Sequence, residues 1–596
     1  MTKTLGDFEQ IIFADFEFVA KPGERPDVVC LAWHEWPSGQ THCLWHDQLG
    51  DNPPYRIDDK VLFACFVANA ELDCHLSRHW PLPANVIDLS AEFRCITNGR
   101  VVPQGKGLLG ALAYFGIDNI GSKRKDAMRA RIMKGWPFTL EERAEILLYV
   151  ASDAEPLALL LRKMLPHINL DIALHRGEFV ACLARMEHRG VPIDMEIFPQ
   201  LADKRTWNAI RDAMVPAIDA AYGVYVKDAD GEWHFNLERF EAYLEREGIT
   251  WSRTEKGMLN TRDKTFEAMC KCHPQLENLR QLRYVRNKMR KVKFTVGADG
   301  RNRTVLWPFK SKSSRTQPKA SQWIFSPAVF WRSLIKPPLG RAVAYVDFSS
   351  AEFMIAASLS NDPVMLEFYR NGDPYLSFAK RVGAAPPDAT KKTHGSLRDR
   401  YKTGLLSIQY GIKSEALAER LDISTFAAHE MMGQHRELFS VYWRWVDDWL
   451  AQVLASGAMW TSFGWECRTG ITEFNERSIT NFPVQATCAD ILRIACIMAT
   501  RLGLELLAPV HDALLIEAPI DRIEADVALL REIMRRASRI VLNPTADGPH
   551  GLRTDAMIVR YPDRYCDGRG AEIWAHVLDL LAEYRRQQAH AAMRAG

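Results

Sequence analysis

The sequence predicts a multidomain chain of mixed α/β and α+β class, an expectation carried by three observations. With 596 residues the chain is too long for one hydrophobic core and calls for two or three domains. Apolar, strand-like runs occur near the N-terminus, at Ile11 to Val19, and past the middle of the chain, at Ala342 to Val346, each interrupted or ended by carboxylates. Between them, helical patterns alternate with polar turns such as Lys227-Asp228-Ala229-Asp230-Gly231.

Composition narrows the class without fixing it. Hydrophobic residues make up 47% and charged residues 25%, as in an ordinary enzyme, and the net charge of +2 means that nucleic-acid binding would need local basic surface. The twelve cysteines form no CxxC pair, and Cys270-x-Cys272 is too close for a zinc knuckle, so a reduced, cytoplasmic setting is expected. No run approaches the ~18 apolar residues of a membrane span. The N-terminus lacks the pattern of a signal peptide.

In chain order, the strand Ile11 to Val19 puts Asp15 and Glu17 on one face, where two acids among apolar neighbours are costly without a cation. Phe66 to Asp73 offers Asn69 and Asp73 as an Asn-x-x-x-Asp pair, and Asp88 ends Val86-Ile87 as a further structural acid. Thr139-Leu140-Glu141-Glu142 is a capping box opening a helix on which Tyr149 and Asp153 stand at i and i+4. Glu178 to Asp194 reads as a helix stopped by Gly190.

Arg283, Arg286, Lys288, Arg290, Lys291 and Lys293 then form a basic run, either a solvated helix face or a grip on phosphates. Ser313 to Pro318 is a polar loop. The apolar run from Arg341 ends at Asp347, after which Ser349-x-x-Glu352 matches a second capping box. Along Gly395 to Gly411, Arg398, Lys402, Leu406 and Tyr410 recur every fourth residue and form one slowly winding helical stripe. Two cations followed by an aromatic suit a triphosphate.

Asn481 and Gln485 stand one turn apart, and Leu504 to Glu517 reads as two strands with His511-Asp512 at the turn. Asp347 and Asp512, brought together on neighbouring strand ends, could share a pair of divalent ions, since like charges so close need cations to stay ionised.

Asp347-Phe348-Ser349 through Glu352, with Val510-His511-Asp512, resembles the two palm motifs of family A DNA polymerases, the DNA polymerase I group, in wording closest to phage-type members. The resemblance implies a right-hand polymerase domain over 169–596, with thumb about 195–310, fingers about 376–475 and palm the remainder. By it, Asp347, Asp512 and the Phe348 carbonyl hold two Mg²⁺ or Mn²⁺ ions, and Lys402 protonates the leaving pyrophosphate. Arg398, Lys402, Tyr410, Leu406 and Phe348 surround the dNTP, and Glu352 blocks a 2′-hydroxyl. Arg315, Gln317, Arg477, Asn481, Gln485 and His511 touch primer-template DNA, with Arg286, Lys288, Arg290 and Lys291 on duplex phosphates. Ser350, Met354, Leu406 and Ala513 depart from the family pattern.

The N-terminal acids resemble the three motifs of the tyrosine-bearing DEDD 3′-5′ exonuclease, implying a ribonuclease H-like domain over 1–168. Asp15, Glu17, Asp73 and Asp153 then hold two ions, and Tyr149 positions water. The implied whole is a monomeric DNA polymerase with proofreading, for replication or repair, in a bacterial or phage-infected cytoplasm, and without room for a 5′ nuclease. The alternatives are a catalytically silent DNA-binding scaffold and an exonuclease-only or RNA-synthesising relative. Glu352 and the cationic stripe argue against the last two.

Overall fold

Alternation along the first strand sets up the N-terminal third. In the computed structural model, which describes residues 3–118, 122–254, 256–288, 294–326, 328–469, 475–542 and 551–595, β1 (Gln10–Val19) pairs antiparallel with β2 (Asp27–Trp36). β2 pairs with β3 (Thr41–Trp45), while β4 (Val61–Cys65) runs parallel to β1 and β5 (Asn85–Asp88) parallel to β4. The order β3-β2-β1-β4-β5 is the expected ribonuclease H-like arrangement. Ile12, Ala14 and Phe16 enter one core. Asp15 and Glu17 fall on the other face with Val19, over the helix Leu140–Met164, whose Ile146, Val150 and Ala154 pack on Val29, Cys30 and Ala32. That helix starts on the expected capping box: Thr139 Oγ1 accepts from Glu142 N–H at 3.2 Å and Glu142 Oε2 from Thr139 N–H at 2.8 Å.

The helix Leu170–Arg189 ends, as expected, at Gly190, whose φ of +68° suits glycine and where a Cβ would come within 2.9 Å of the Asn302 carbonyl. It begins next to the expected domain boundary yet belongs to both sides. It packs most extensively on β5 and the helix Ala68–Ser77, and also on the strand Glu505–Val510 and the helix Glu476–Arg501. Buried Arg176 donates from Nη1 to Glu92 at 2.8 Å and from Nη2 to the Gly464 carbonyl at 3.1 Å, joining the N-terminal sheet domain to a loop of the C-terminal half. One apolar core runs from Ile12, Phe16 and Phe63 through Phe179 and Met186 to Ala344, Val346 and Ile491.

The second sheet is antiparallel, in the order Glu505–Val510, Ala513–Pro519, Arg341–Phe348, Thr554–Arg560. Its central strand is the apolar run read from the sequence, backed by the helix Ile523–Leu542. The helix Glu476–Arg501 is long and apolar enough to cross a membrane, but 78% of its apolar window is buried here and it carries the buried Asp490–Arg493 pair. Helices from Pro374–Arg381 to Ser440–Ser456 stand beyond this sheet. A separate core gathers the helices Lys204–Asp219, Leu237–Arg246, Asp263–Cys272 and Glu277–Lys288 with the C-terminal helix Ala571–Ala595.

One expected cap does not form. The helix Ala351–Ser360 follows Ser350 at φ +54°, without a side-chain cap. This left-handed turn leaves the Ser349 hydroxyl facing the neighbouring strand, where it donates to Asp555 Oδ2 at 2.8 Å. All twelve cysteines are free thiols.

Candidate functional site

Register brings the first pair of acids together. Asp347 lies opposite Ala513 on one neighbouring strand and Asp555 on the other, and Asp512 sits in the two-residue turn just before Ala513. The turn closes because His511 takes φ +59°. Burial, and next the Asp512 charge, raise the Asp347 carboxyl to about 7, while Lys402 pulls it down. Asp347 Oδ1 is buried with no hydrogen-bond donor. Two mutually repelling carboxylates, one with an orphaned oxygen, are a donor set that hard divalent cations complete. Phe348 is buried at the strand end. Asp555, exposed and directly across from Asp347, carries no motif; only register finds it.

The cationic stripe forms as read, on the helix Gly395–Gln409, capped by Tyr410 and Gly411 at φ +68°. Desolvation and the Arg398 charge push the Lys402 ammonium down; Asp399, Asp347 and Asp512 pull it back. Arg398 donates from Nε to Asp373 Oδ2 at 2.7 Å and from Nη1 to Asp399 Oδ1 at 2.9 Å, over the Tyr375 ring. Leu406 is half-buried on the same helix.

At the foot of that helix, Glu352, Tyr410 and Asn481 line one small cavity. Burial, then the Glu352 charge, push the Tyr410 hydroxyl upward. Arg315 Nη2 comes within 3.9 Å of Glu352 Oε1, and Arg477 Nε donates to the Tyr410 carbonyl at 3.2 Å. Asn481 Oδ1 is buried without a partner, and Gln485 is half-buried one turn along. Gln317 and His511 are exposed.

Two arginines of the basic run, Arg283 and Arg286, are engaged inside the fold. Arg286 is paired with Asp212, lies 3.6 Å from Glu232 and donates to the Trp233 carbonyl at 3.2 Å. Arg283 is buried over the Phe235 and Phe266 rings, at 3.9 and 4.5 Å. Both turn inward because the acids and aromatics of neighbouring helices offer nearer partners than solvent. The side chain of Lys288, with Arg290, Lys291 and Lys293, lies outside the described residues.

A second acid cluster stands at β1. Ligand oxygens of Asp15, Glu17 and Asp153 lie within 4.8 Å of one another. Lys125 Nζ is seated 2.7 Å from Asp153 Oδ1. Burial, and next Asp153, raise Glu17 to about 8. Asp15 is pushed far above the carboxylate range by burial and then by Glu71, Asp153 and Glu17. Tyr149, buried, hydrogen-bonds Asp153 one turn on, and burial with these acids pushes its hydroxyl up. Too many buried carboxylates for one ammonium again describes a cation site.

Asp73 is not brought to this cluster. Its Oδ1 lies 2.7 Å from His188 Nδ1, and Asn69, on the same helix face, donates to Glu187 at 2.9 Å. Glu71 points the other way, its Oε2 accepting from Phe16 N–H at 2.8 Å. Asp88 accepts from the N–H groups of Ser90, Ala91 and Val67, the structural cap expected of it.

Comparison with known proteins finds similarity to one family over part of the chain. Residues 326–546 match the family model described as DNA polymerase family A. The chain is similar to DNA polymerase I of Mycobacterium leprae, 26% identical over 463 residues that cover 71% of this chain and 47% of that one. It is 30% identical to DNA polymerase I of Chloroflexus aurantiacus over 230 residues, 36% of this chain and 24% of that one. It is 26% identical to the thermostable DNA polymerase I of Thermus filiformis over 387 residues, 60% and 44%. The matches thus span less than half the length of these relatives. Among solved structures, the POL domain of Pol1 from M. smegmatis, in complex with DNA primer-template and dNTP, superposes with a TM-score of 0.65 at 20% identity, covering 94% of this chain and 96% of that one.

Proposed function

We propose, from the match of residues 326–546 to the model of DNA polymerase family A, that this chain extends primed DNA templates from dNTPs and removes 3′-terminal nucleotides at a second, N-terminal site. The observation that carries the first half is the Asp347/Asp512 pair, with its orphaned oxygen, opposite the Arg398/Lys402 stripe. Magnesium or manganese ions, once bound, would supply an activated primer hydroxyl and charge neutralisation for an in-line displacement at the α-phosphate.

Asp347 and Asp512 would hold the ions with the Phe348 carbonyl, and Asp555 adds negative charge from the next strand. Lys402, its ammonium pKa lowered, suits both neutralising phosphates and giving a proton to pyrophosphate. Arg398 would exchange Asp373 or Asp399 for the more highly charged triphosphate. Glu352, in the cavity with Tyr410 and Asn481, would exclude a sugar with a 2′-hydroxyl. Arg315, Gln317, Arg477, Gln485 and His511 remain the proposed contacts to primer-template DNA. At the second site Asp15, Glu17 and Asp153 would hold ions, and Tyr149 would orient water. The free thiols support a reduced cytoplasmic setting.

A labelled primer-template with Mg²⁺, with and without dNTPs, tests both halves. Asp347→Ala should stop lengthening and spare shortening, and Asp15→Ala should do the reverse. Retention of both activities by both variants would overturn the assignment of sites.

A further inference from the structure

Two acids on the helix Ala68–Ser77 compete for a place at the N-terminal cluster, and geometry separates them. On a helix a two-residue step turns the side chain by roughly 200°, so Glu71 and Asp73 project to opposite faces. Asn69 and Asp73 share the face against the helix Leu170–Arg189, where Glu187 and His188 engage them. Glu71 therefore takes the face toward β1. The β1–β4 ladder ends at Phe13 opposite Ala64, and Phe16 N–H, beyond that end, is taken by Glu71 Oε2 at 2.8 Å. Glu71 is only 5% exposed.

We infer that Glu71, and not Asp73, is the fourth carboxylate of this centre, a ligand for the divalent ions held with Asp15, Glu17 and Asp153. The inference rests on the reading of that cluster as a 3′-end nuclease. Its independent support is the Lys125 ammonium, already drawn in among the acids to 2.7 Å from Asp153: the pocket accommodates a cation, and Glu71 adds a further buried carboxylate to its wall. Asp73 adds none that its own surroundings do not satisfy, since His188 stands against it.

The test uses the full chain with Glu71→Gln, Asp73→Asn and Asp15→Ala, measuring Mg²⁺-dependent shortening of a labelled 3′ end. DNA synthesis by the same preparations reports folding. Glutamine keeps an oxygen for Phe16 N–H and removes only the charge, so a purely structural Glu71 would tolerate it. Glu71→Gln should lower shortening by about a hundredfold or more and raise the Mg²⁺ concentration needed for what remains, with synthesis unchanged. Asp73→Asn should change shortening by less than roughly threefold, below the about 10- to 100-fold that losing a supporting contact to a metal ligand costs. Normal shortening by Glu71→Gln, or loss in Asp73→Asn matching that in Asp15→Ala, would overturn the inference while leaving the nuclease reading intact. Wild-type chain that shortens nothing would overturn both.

Discussion

The two acid clusters answer one electrostatic problem in opposite ways. At β1 the carboxylates come from a strand and two helices, enclosed, with Lys125 as the nearest cation, and burial dominates: Glu17 rises to about 8 and Asp15 is pushed well above the carboxylate range. In the second sheet the acids stand at strand ends and a turn, with exposed Asp555 beside them and a cationic helix opposite, and Asp347 rises only to about 7. An enclosed cluster suits a site that admits one unpaired strand end. An open one leaves space for a triphosphate between carboxylates and cations.

The largest expected effect separates the clusters outright. Asp512→Ala should reduce primer extension by about a thousandfold or more with shortening intact, and Glu17→Ala the reverse, scored on one gel. Parallel losses in both variants would break the comparison. Next, Glu352→Ala should raise incorporation of rNTPs relative to dNTPs on the order of tenfold or more, without altering shortening. Unchanged discrimination would remove Glu352 from the sugar's surroundings.

Acidity sharpens the contrast further. The folded chain holds protons on Asp347 to about pH 7 and on Glu17 to about pH 8, whereas the unfolded chain releases them near pH 4. Folded protein thus binds more protons across that window, and metal-free protein is expected to lose stability as pH rises through it. Magnesium should restore the loss at the upper end, as thermal melts at pH 5, 7 and 8.5 with EDTA or Mg²⁺ would show. Glu17→Gln should flatten the curve further up the pH scale than Asp347→Asn. A melt independent of pH in EDTA would refute the account. Smallest, Arg286→Ala should cost about 1–2 kcal/mol of stability through loss of its Asp212 and Trp233 partners, with the salt dependence of DNA binding unmoved.

Much of this was legible in the sequence wherever one-dimensional spacing maps directly onto one element. The Arg398-to-Tyr410 stripe, the Tyr149/Asp153 pair, the Thr139 cap and the stop at Gly190 all depend on neighbours within a turn or two. Asp347 and Asp512 were readable because each carboxylate directly follows or closes an apolar run, which marks a strand end. What escaped depends on facing. Glu71 and Asp73 differ by two positions, and only the packing of their helix decides which meets β1. Asp555 is marked by register alone, and the Ser349 hydroxyl follows it. Arg286 read as surface charge because its acceptors, Asp212 and the Trp233 carbonyl, are distant in sequence.

The helix Leu170–Arg189 is pinned from both sides, by Arg176 on Glu92 and the Gly464 carbonyl and by Glu187 and His188 on Asn69 and Asp73. The N-terminal half cannot swing away without shearing the buried Arg176–Glu92 pair, a loss of several kcal/mol, nor the other half without giving up the Arg176–Gly464 hydrogen bond and the shared apolar core. Under the proposed function, a mispaired terminus would reach the second centre by its own journey, fraying and threading across a rigid floor, and the pace of editing would be dictated by how readily the DNA melts.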